Sequence, residues 1–301
     1  MSATEEFEAA QDQLFEVCGV EPESRFVEVP AISGRAHVLE WGEGSPVVMV
    51  PGFADPTAMW APLMGELEGF RMYAVDRPNF GLSDPAPHSA ETLRELAVEF
   101  LEQVLDGLGL EKPLFVANSI GSLWTIWLAL DRPERVAAMS HVGCPATILG
   151  TSAPFPLRMM SIRPLSKLMM AMTPPSREQI EDFNEIVGVD LSVLPEMKDL
   201  LVAAQKLPHT RPGIRSLLPS VVRLRGPRPE VELTAEQLEK ITQPTQLIWG
   251  DEDVFGSPEV GRRAAELIPD CEFHLLRGGD HVAWIGQPKE VAELAGPFLR
   301  G

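Results

Sequence analysis

The chain reads as an α/β protein: a mostly parallel sheet with helices on both faces and an inserted helical cap. Three observations point there. Short apolar runs alternate with longer helical patterns, and the connections between them are brief, which is the signature of a parallel sheet covered on both sides. The alternation stops near Ala146 and resumes at Thr245. The stretch between is rich in Met, Leu and Pro, and residues 145–242 hold 12 Lys and Arg against 11 Asp and Glu, whereas the remainder carries a net −20. The expected organisation is therefore a core of 1–145 and 243–301 with a cap of 146–242. An insertion whose ends lie close together costs a sheet little entropy.

Taken in order, Thr4–Val17 places Phe7, Leu14, Phe15 and Val17 at helical spacing behind acidic residues, which predicts a short amphipathic helix. Arg25–Val29, His37–Trp41 and Val47–Val50 are β-like runs separated by Gly- and Pro-containing turns, read as a meander feeding a central strand. A helix over Pro56–Leu67, a strand at Met72–Val75 and a long helix over Ala90–Leu108 follow. The run Pro113–Val116 and the helical pattern from Ser122 to about Ala129 then bracket Ala117-Asn118-Ser119-Ile120-Gly121, and a strand lies near Ala137–Val142. The cap shows helical candidates near 156–172, 177–187, 196–206, 214–224 and 234–241. The core closes with Thr245–Trp249, a helix over Pro258–Leu267, a strand at Glu272–Leu276 and a helix over Lys289–Leu299.

Composition narrows the function. In 301 residues, 45% of them hydrophobic, there is enough apolar material for a large core, and a formal charge of −19 argues against a nucleic-acid partner. No run approaches the roughly 18 apolar residues that span a bilayer, so no stable membrane insertion is expected. Met1–Ala10 is acidic, unlike a signal peptide. The cysteines at 18, 144 and 271 are few, distant and without metal-ligand spacing, which predicts reduced thiols in a cytoplasm and no metal site.

Ser119 sits where an apolar run gives way to a helix. Such a sharp turn projects a serine hydroxyl above the sheet, next to the free N–H groups of a helix start, and demands small residues two positions either side. Ala117 and Gly121 meet that demand. The hydroxyl needs a base, and the base needs an acid to set its tautomer. Candidates follow two later strands: Trp249-Gly250-Asp251-Glu252-Asp253 and Gly279-Asp280-His281. Residues just beyond parallel strands share one edge of the sheet with Ser119.

The order serine, acid, histidine and the motifs around it resemble the α/β-hydrolase fold superfamily from about Arg35 to Leu299. Val48-Met49-Val50-Pro51-Gly52-Phe53 is similar to its oxyanion loop, with proline where histidine is usual. Asp76-Arg77-Pro78-Asn79-Phe80-Gly81-Leu82-Ser83-Asp84 resembles its D-x-x-G-x-G-x-S segment, with Asn79 replacing a glycine. Trp249–Asp253 matches its acid loop, and His281–Pro288 the spacing of its histidine loop, with Asp280 and Gly286 departing from the usual residues. The resemblance implies acyl transfer to water: Ser119 as nucleophile, His281 as base, Asp253 as orienting acid, and backbone N–H groups of Phe53 and Ile120 as the oxyanion hole, without cofactor. Asp251 is the alternative to Asp253 as orienting acid, or a simple turn residue, with the family spacing favouring Asp253; Asp280 is read as a surface or loop-bonding group and the other histidines as structural or solvated.

Met159, Met160, Met169, Met170 and Met172 suggest a pocket roof for an apolar group, since methionine adapts to varied surfaces; packing between cap helices is the competing reading. Trp284 is a candidate pocket residue on the same terms. The expected function is hydrolysis of carboxylic esters of small or medium apolar compounds. Carbon–carbon bond hydrolases of ring-cleavage products, whose N-S-M-G elbow resembles Asn118–Gly121, are the enzymatic alternative. A non-catalytic ligand receptor is the alternative of another class.

Overall fold

The apolar run Val47–Val50 has no polar face to offer water, so it needs strands on both sides and layers on both faces. In the computed structural model, which describes residues 1–301, it lies inside an eight-stranded sheet. The strands are β1 (Glu23–Val29), β2 (Gly34–Trp41), β3 (Ser45–Val50), β4 (Phe70–Val75), β5 (Leu114–Ala117), β6 (Met139–Val142), β9 (Thr245–Gly250) and β10 (Cys271–Leu276), in the order β1-β2-β4-β3-β5-β6-β9-β10. Only β2 runs against the others. Two-residue strands β7 (Val222–Arg223) and β8 (Gly226–Pro227) form a separate hairpin in the cap.

Period-two alternation splits the sheet's side chains between two apolar layers. Val48, Val50, Phe115, Ala117, Leu247 and Trp249 join one layer; Val47, Met49, Val116, Val142 and Ile248 join the other. Helices α3 (Leu93–Leu108) and α4 (Ser119–Asp131) cover the first face. Helices α1 (Ala3–Cys18) and α2 (Ala61–Met64), together with α12 (Pro288–Arg300), cover the second. The cap consists of α5 (Phe155–Met160), α6 (Arg163–Met172), α7 (Arg177–Ile186), α8 (Pro195–Lys206), α9 (Thr210–Val221) and α10 (Ala235–Leu238). It has no core of its own: Ile214 and Leu217 join the first layer, and Met197 and Leu200 join the second. Helix α11 (Pro258–Leu267) packs beside β9 and β10. No helix is long and apolar enough to cross a membrane.

Three expectations need correction. The first three strands are not a meander, because β4 inserts between β2 and β3; β3, with its buried apolar run Val47–Val50, takes an interior place with parallel neighbours. The helix expected over Pro56–Leu67 is a 3-10 turn, Thr57–Trp60, followed by the single-turn α2, which starts with Pro62 in its first turn and ends at Gly65. The 156–172 candidate is two helices: Ile162 is extended, and α6 restarts with Pro164 in its first turn, where a missing N–H forfeits no helical hydrogen bond.

The topology also places the site. From β3 the chain crosses to β4 on one side and later to β5 on the other. The loops leaving β3 and β5 thus diverge around a crevice at their carboxyl ends, where open α/β sheets bind ligands.

Candidate active site

The loops after β3 and β5 are laced together. The Asn118 N–H donates to the Val50 carbonyl at 3.1 Å. Ser119 opens α4 with φ of 51°, the left-handed region that side chains avoid. A Cβ on Gly121 would overlap the Val50 and Pro51 carbonyls, so the turn admits only glycine there. Gly52 is similarly hemmed in: an added Cβ would lie 3.3 Å from the Ser119 Cβ and collide with the Asn118 amide oxygen. The loop carrying Phe53 therefore packs directly on Ser119. Ile120 is the second residue of α4, so its N–H lies in the turn that has no intrahelical acceptor.

Asp253 and His281 come from the loops after β9 and β10. His281 Nδ1 and Asp253 Oδ2 are 2.9 Å apart, with both side chains buried. Asp253 also accepts the N–H of Cys144 (2.7 Å) and of Phe255 (2.9 Å), so its carboxylate is held from three directions. With Nδ1–H committed to Asp253, Nε2 is the free base position; it is buried and has no protein partner. Ser119 and His281 line one cavity, without a hydrogen bond between them. Such contacts commonly tighten only once substrate is bound. Burial works against a charged His281, but Asp253, Asp55 and Asp280 more than offset it and hold the imidazole above its ordinary value.

The cavity, about 400 Å³, lies between sheet edge and cap. Phe53, Ile120 and Met160 border it, as do Met169 and Met170. Met159 does not. It is turned about 100° round α5 from Met160, whereas Leu157, three residues back, shares the Met160 face. Trp284 is also absent from the wall. Its indole is fully buried, stacked on Trp60 at 4.2 Å, and donates to the Met59 carbonyl at 2.9 Å, so it packs the second apolar layer. Asp251 accepts the Gly278 N–H and Asp280 the Val282 N–H, both as loop ties.

Four contributors have no role assigned from the sequence, although Asn118 lies within the elbow motif. Phe255 stacks on His281 at 4.0 Å. The Asn118 amide donates to the carbonyls of Val142 (2.7 Å) and His281 (2.9 Å), tying the Ser119 turn to the histidine loop. Asp55 faces the cavity near His281; burial outweighs the opposing pull of Arg77 and His281 and raises its carboxyl to about 7. Arg211 is the single Lys or Arg on the cavity wall. An acid or a cation at an unremarkable chain position becomes legible only when a fold delivers it to a cleft.

A family model described as the alpha/beta hydrolase family matches residues 47–294, which takes in every strand from β4 on and all four loops of the site. The chain belongs to that family. It is therefore read as a hydrolase. It is 29% identical over 92% of its length to a 2-hydroxy-6-oxononadienedioate/2-hydroxy-6-oxononatrienedioate hydrolase of Cupriavidus pinatubonensis, and covers 95% of that protein. Among solved structures it resembles the carboxylesterase CesB from Bacillus subtilis (TM-score 0.78, 22% identity, 99% of this chain and 98% of that one). It also resembles the 2-hydroxy-6-oxo-6-phenylhexa-2,4-dienoate hydrolase from Rhodococcus (TM-score 0.77, 17% identity, 94% and 100%). At these identities the structural likenesses speak for the fold alone.

Proposed function

We propose that this chain is a serine hydrolase that cleaves a carbon–carbon bond beside a ketone in an anionic 2-hydroxy-6-oxo-dienoate. The observation that carries this reading is the similarity, across core and cap alike, to a relative named for that substrate class. It favours the alternative drawn from the Asn118–Gly121 elbow over ester hydrolysis. Ser119 attacks the C6 carbonyl while His281 Nε2 takes the hydroxyl proton. The oxyanion is received by the N–H groups of Phe53 and Ile120, each worth about 3 kcal/mol in the transition state. By then the dienol has passed its 2-hydroxyl proton to C5, which leaves C5 tetrahedral beside a C2 ketone conjugated with C3=C4, so scission sends the C5–C6 bonding pair into that enone as a dienolate. His281 returns the proton to that fragment, and water then releases the acyl group from Ser119. The carboxylate of such a substrate calls for a cation, and Arg211 supplies it. The unpaired thiols of Cys18, Cys144 and Cys271 support a cytoplasmic setting.

Ester hydrolysis stands as a second reading because the cavity wall is chiefly apolar and Asp55 and Asp182 border it, which suits a neutral substrate. A dienoate and a series of p-nitrophenyl esters, assayed side by side, separate the two. The first reading expects dienoate turnover that Ser119→Ala abolishes and Arg211→Gln weakens by at least tenfold in KM, with ester KM unmoved. Ester turnover with an inert dienoate reverses the assignment. A wild-type Ser119 that no fluorophosphonate labels removes both and leaves the receptor reading.

A further inference from the structure

Arg77 is a fully buried cation that the triad does not use. It follows β4, and its guanidinium reaches back to the loop after β3. Nε donates to the Pro51 carbonyl at 3.1 Å and Nη2 donates to the Gly52 carbonyl. The rings of Phe80 and Trp124 flank it at 5.2 and 5.3 Å. Its sequence neighbour Asp76 is occupied elsewhere, by His37 Nδ1 (2.7 Å) and the N–H groups of Thr57 (2.6 Å) and Leu82 (2.9 Å). Burial lowers the guanidinium to about 10, against the opposing pull of Asp55 and Asp76, so it stays charged at neutral pH. Keeping a cation in the interior is costly unless hydrogen bonds and nearby opposite charges compensate it, which makes its position here worth a use.

The two acceptors reveal the use. In a trans peptide the C=O and the following N–H point in opposite directions. Turning the Gly52 carbonyl toward Arg77 turns the Phe53 N–H away from it. Phe53 and Ser119 border the cavity and Arg77 does not, so the loop lies between the guanidinium and the nucleophile. The next residue, Ala54, is held at φ of 58°, a left-handed conformation that needs outside restraint.

We propose that Arg77 is a positioning residue of the oxyanion site: by forking onto the Pro51 and Gly52 carbonyls from behind, it holds the Phe53 N–H turned toward Ser119. This rests on the serine-hydrolase reading. A lysine has one point of attachment where the guanidinium has a planar fork, so it restores the charge without fixing the peptide plane.

The test compares wild type, Arg77→Lys and Arg77→Met, using whichever of the dienoate and p-nitrophenyl esters the wild type turns over. Fluorophosphonate labelling of wild-type Ser119 is checked first, and its absence sinks the serine-hydrolase reading rather than this one. Given labelling, both variants are expected to lose about 100-fold in kcat, the scale of one oxyanion donor, with KM within about twofold. Affinity for a trifluoromethyl ketone should fall in parallel while affinity for the product acid holds. A folded variant with kcat within threefold of wild type, or equal losses for both ligands, overturns the proposal. If neither variant folds, the wild-type trifluoromethyl ketone adduct decides in a crystal. Its oxygen should lie about 2.7–3.1 Å from the Phe53 nitrogen with the Gly52 carbonyl still on Arg77, and an oxygen placed elsewhere refutes it.

Discussion

His281 is surrounded by three carboxylates, and their combined field decides its titration. On the proposed serine-hydrolase mechanism the neutral imidazole is the base, so kcat/KM should rise with pH through a midpoint above the ordinary histidine value of 6.5. Asp55 contributes to that field only when ionised. Asp55→Asn is therefore expected to move the acid limb of the pH–rate profile downward; an unmoved limb would mean that Asp55 does not act on His281. The same substitution bears on stability with a definite sign. The Asp55 carboxyl is raised from 3.8 to about 7, so its neutral form is favoured in the folded protein, and ionisation penalises folding as pH climbs from near 4 through 7. Asp55→Asn should raise the melting temperature relative to wild type at pH 8 and leave it nearly unchanged at pH 4. An equal gain at both pH values would point to packing instead of charge.

At the scale of elements, the strand-to-helix turn at Ser119 depends on close approach to β3. Gly121→Ala drives a methyl into the Val50 and Pro51 carbonyls, which are backbone and cannot swing aside. A loss of at least about 2 kcal/mol is expected, together with loss of activity as Ser119 shifts; a fully active, equally stable variant would show a looser turn. Helix α1 binds core and cap at once: Phe7 and Leu14 are buried in the second apolar layer, the helix packs on α8, and Glu6 pairs with Lys206. Phe7→Ala should cost about 3–5 kcal/mol and raise amide hydrogen exchange in α8 more than in α3. Uniform protection loss would show that α1 stabilises the molecule without anchoring the cap.

For the whole molecule, a formal charge of −19 spread chiefly over the core implies self-repulsion across the surface. Most of the ion pairs involve partly exposed side chains and are worth little individually. Raising NaCl from 0.05 to 1 M, values at which the Debye length falls from above 10 Å to about 3 Å, should therefore raise the melting temperature. A fall would mean that attractive pairs outweigh repulsion.

The periods of two and 3.6 and the proline and glycine breaks made the fold class and most element positions readable along the chain, because each is a short-range constraint; Ser119, Asp253 and His281 were singled out as candidates by local motifs and by their resemblance to a family's order of residues. Strand order was not readable: β4 slots between β2 and β3 through contacts distant in sequence, and that permutation sets the crevice at β3 and β5. Nor could spacing show that Met160 faces the cavity while Met159 and Trp284 do not, since facing depends on where a helix break or a turn leaves each side chain. The primary structure alone determined which groups can do chemistry. Only the folded arrangement decided which are brought within reach of one another, as with Arg77 behind the Phe53 loop and Asp55 beside His281, because burial and electric fields belong to positions in space.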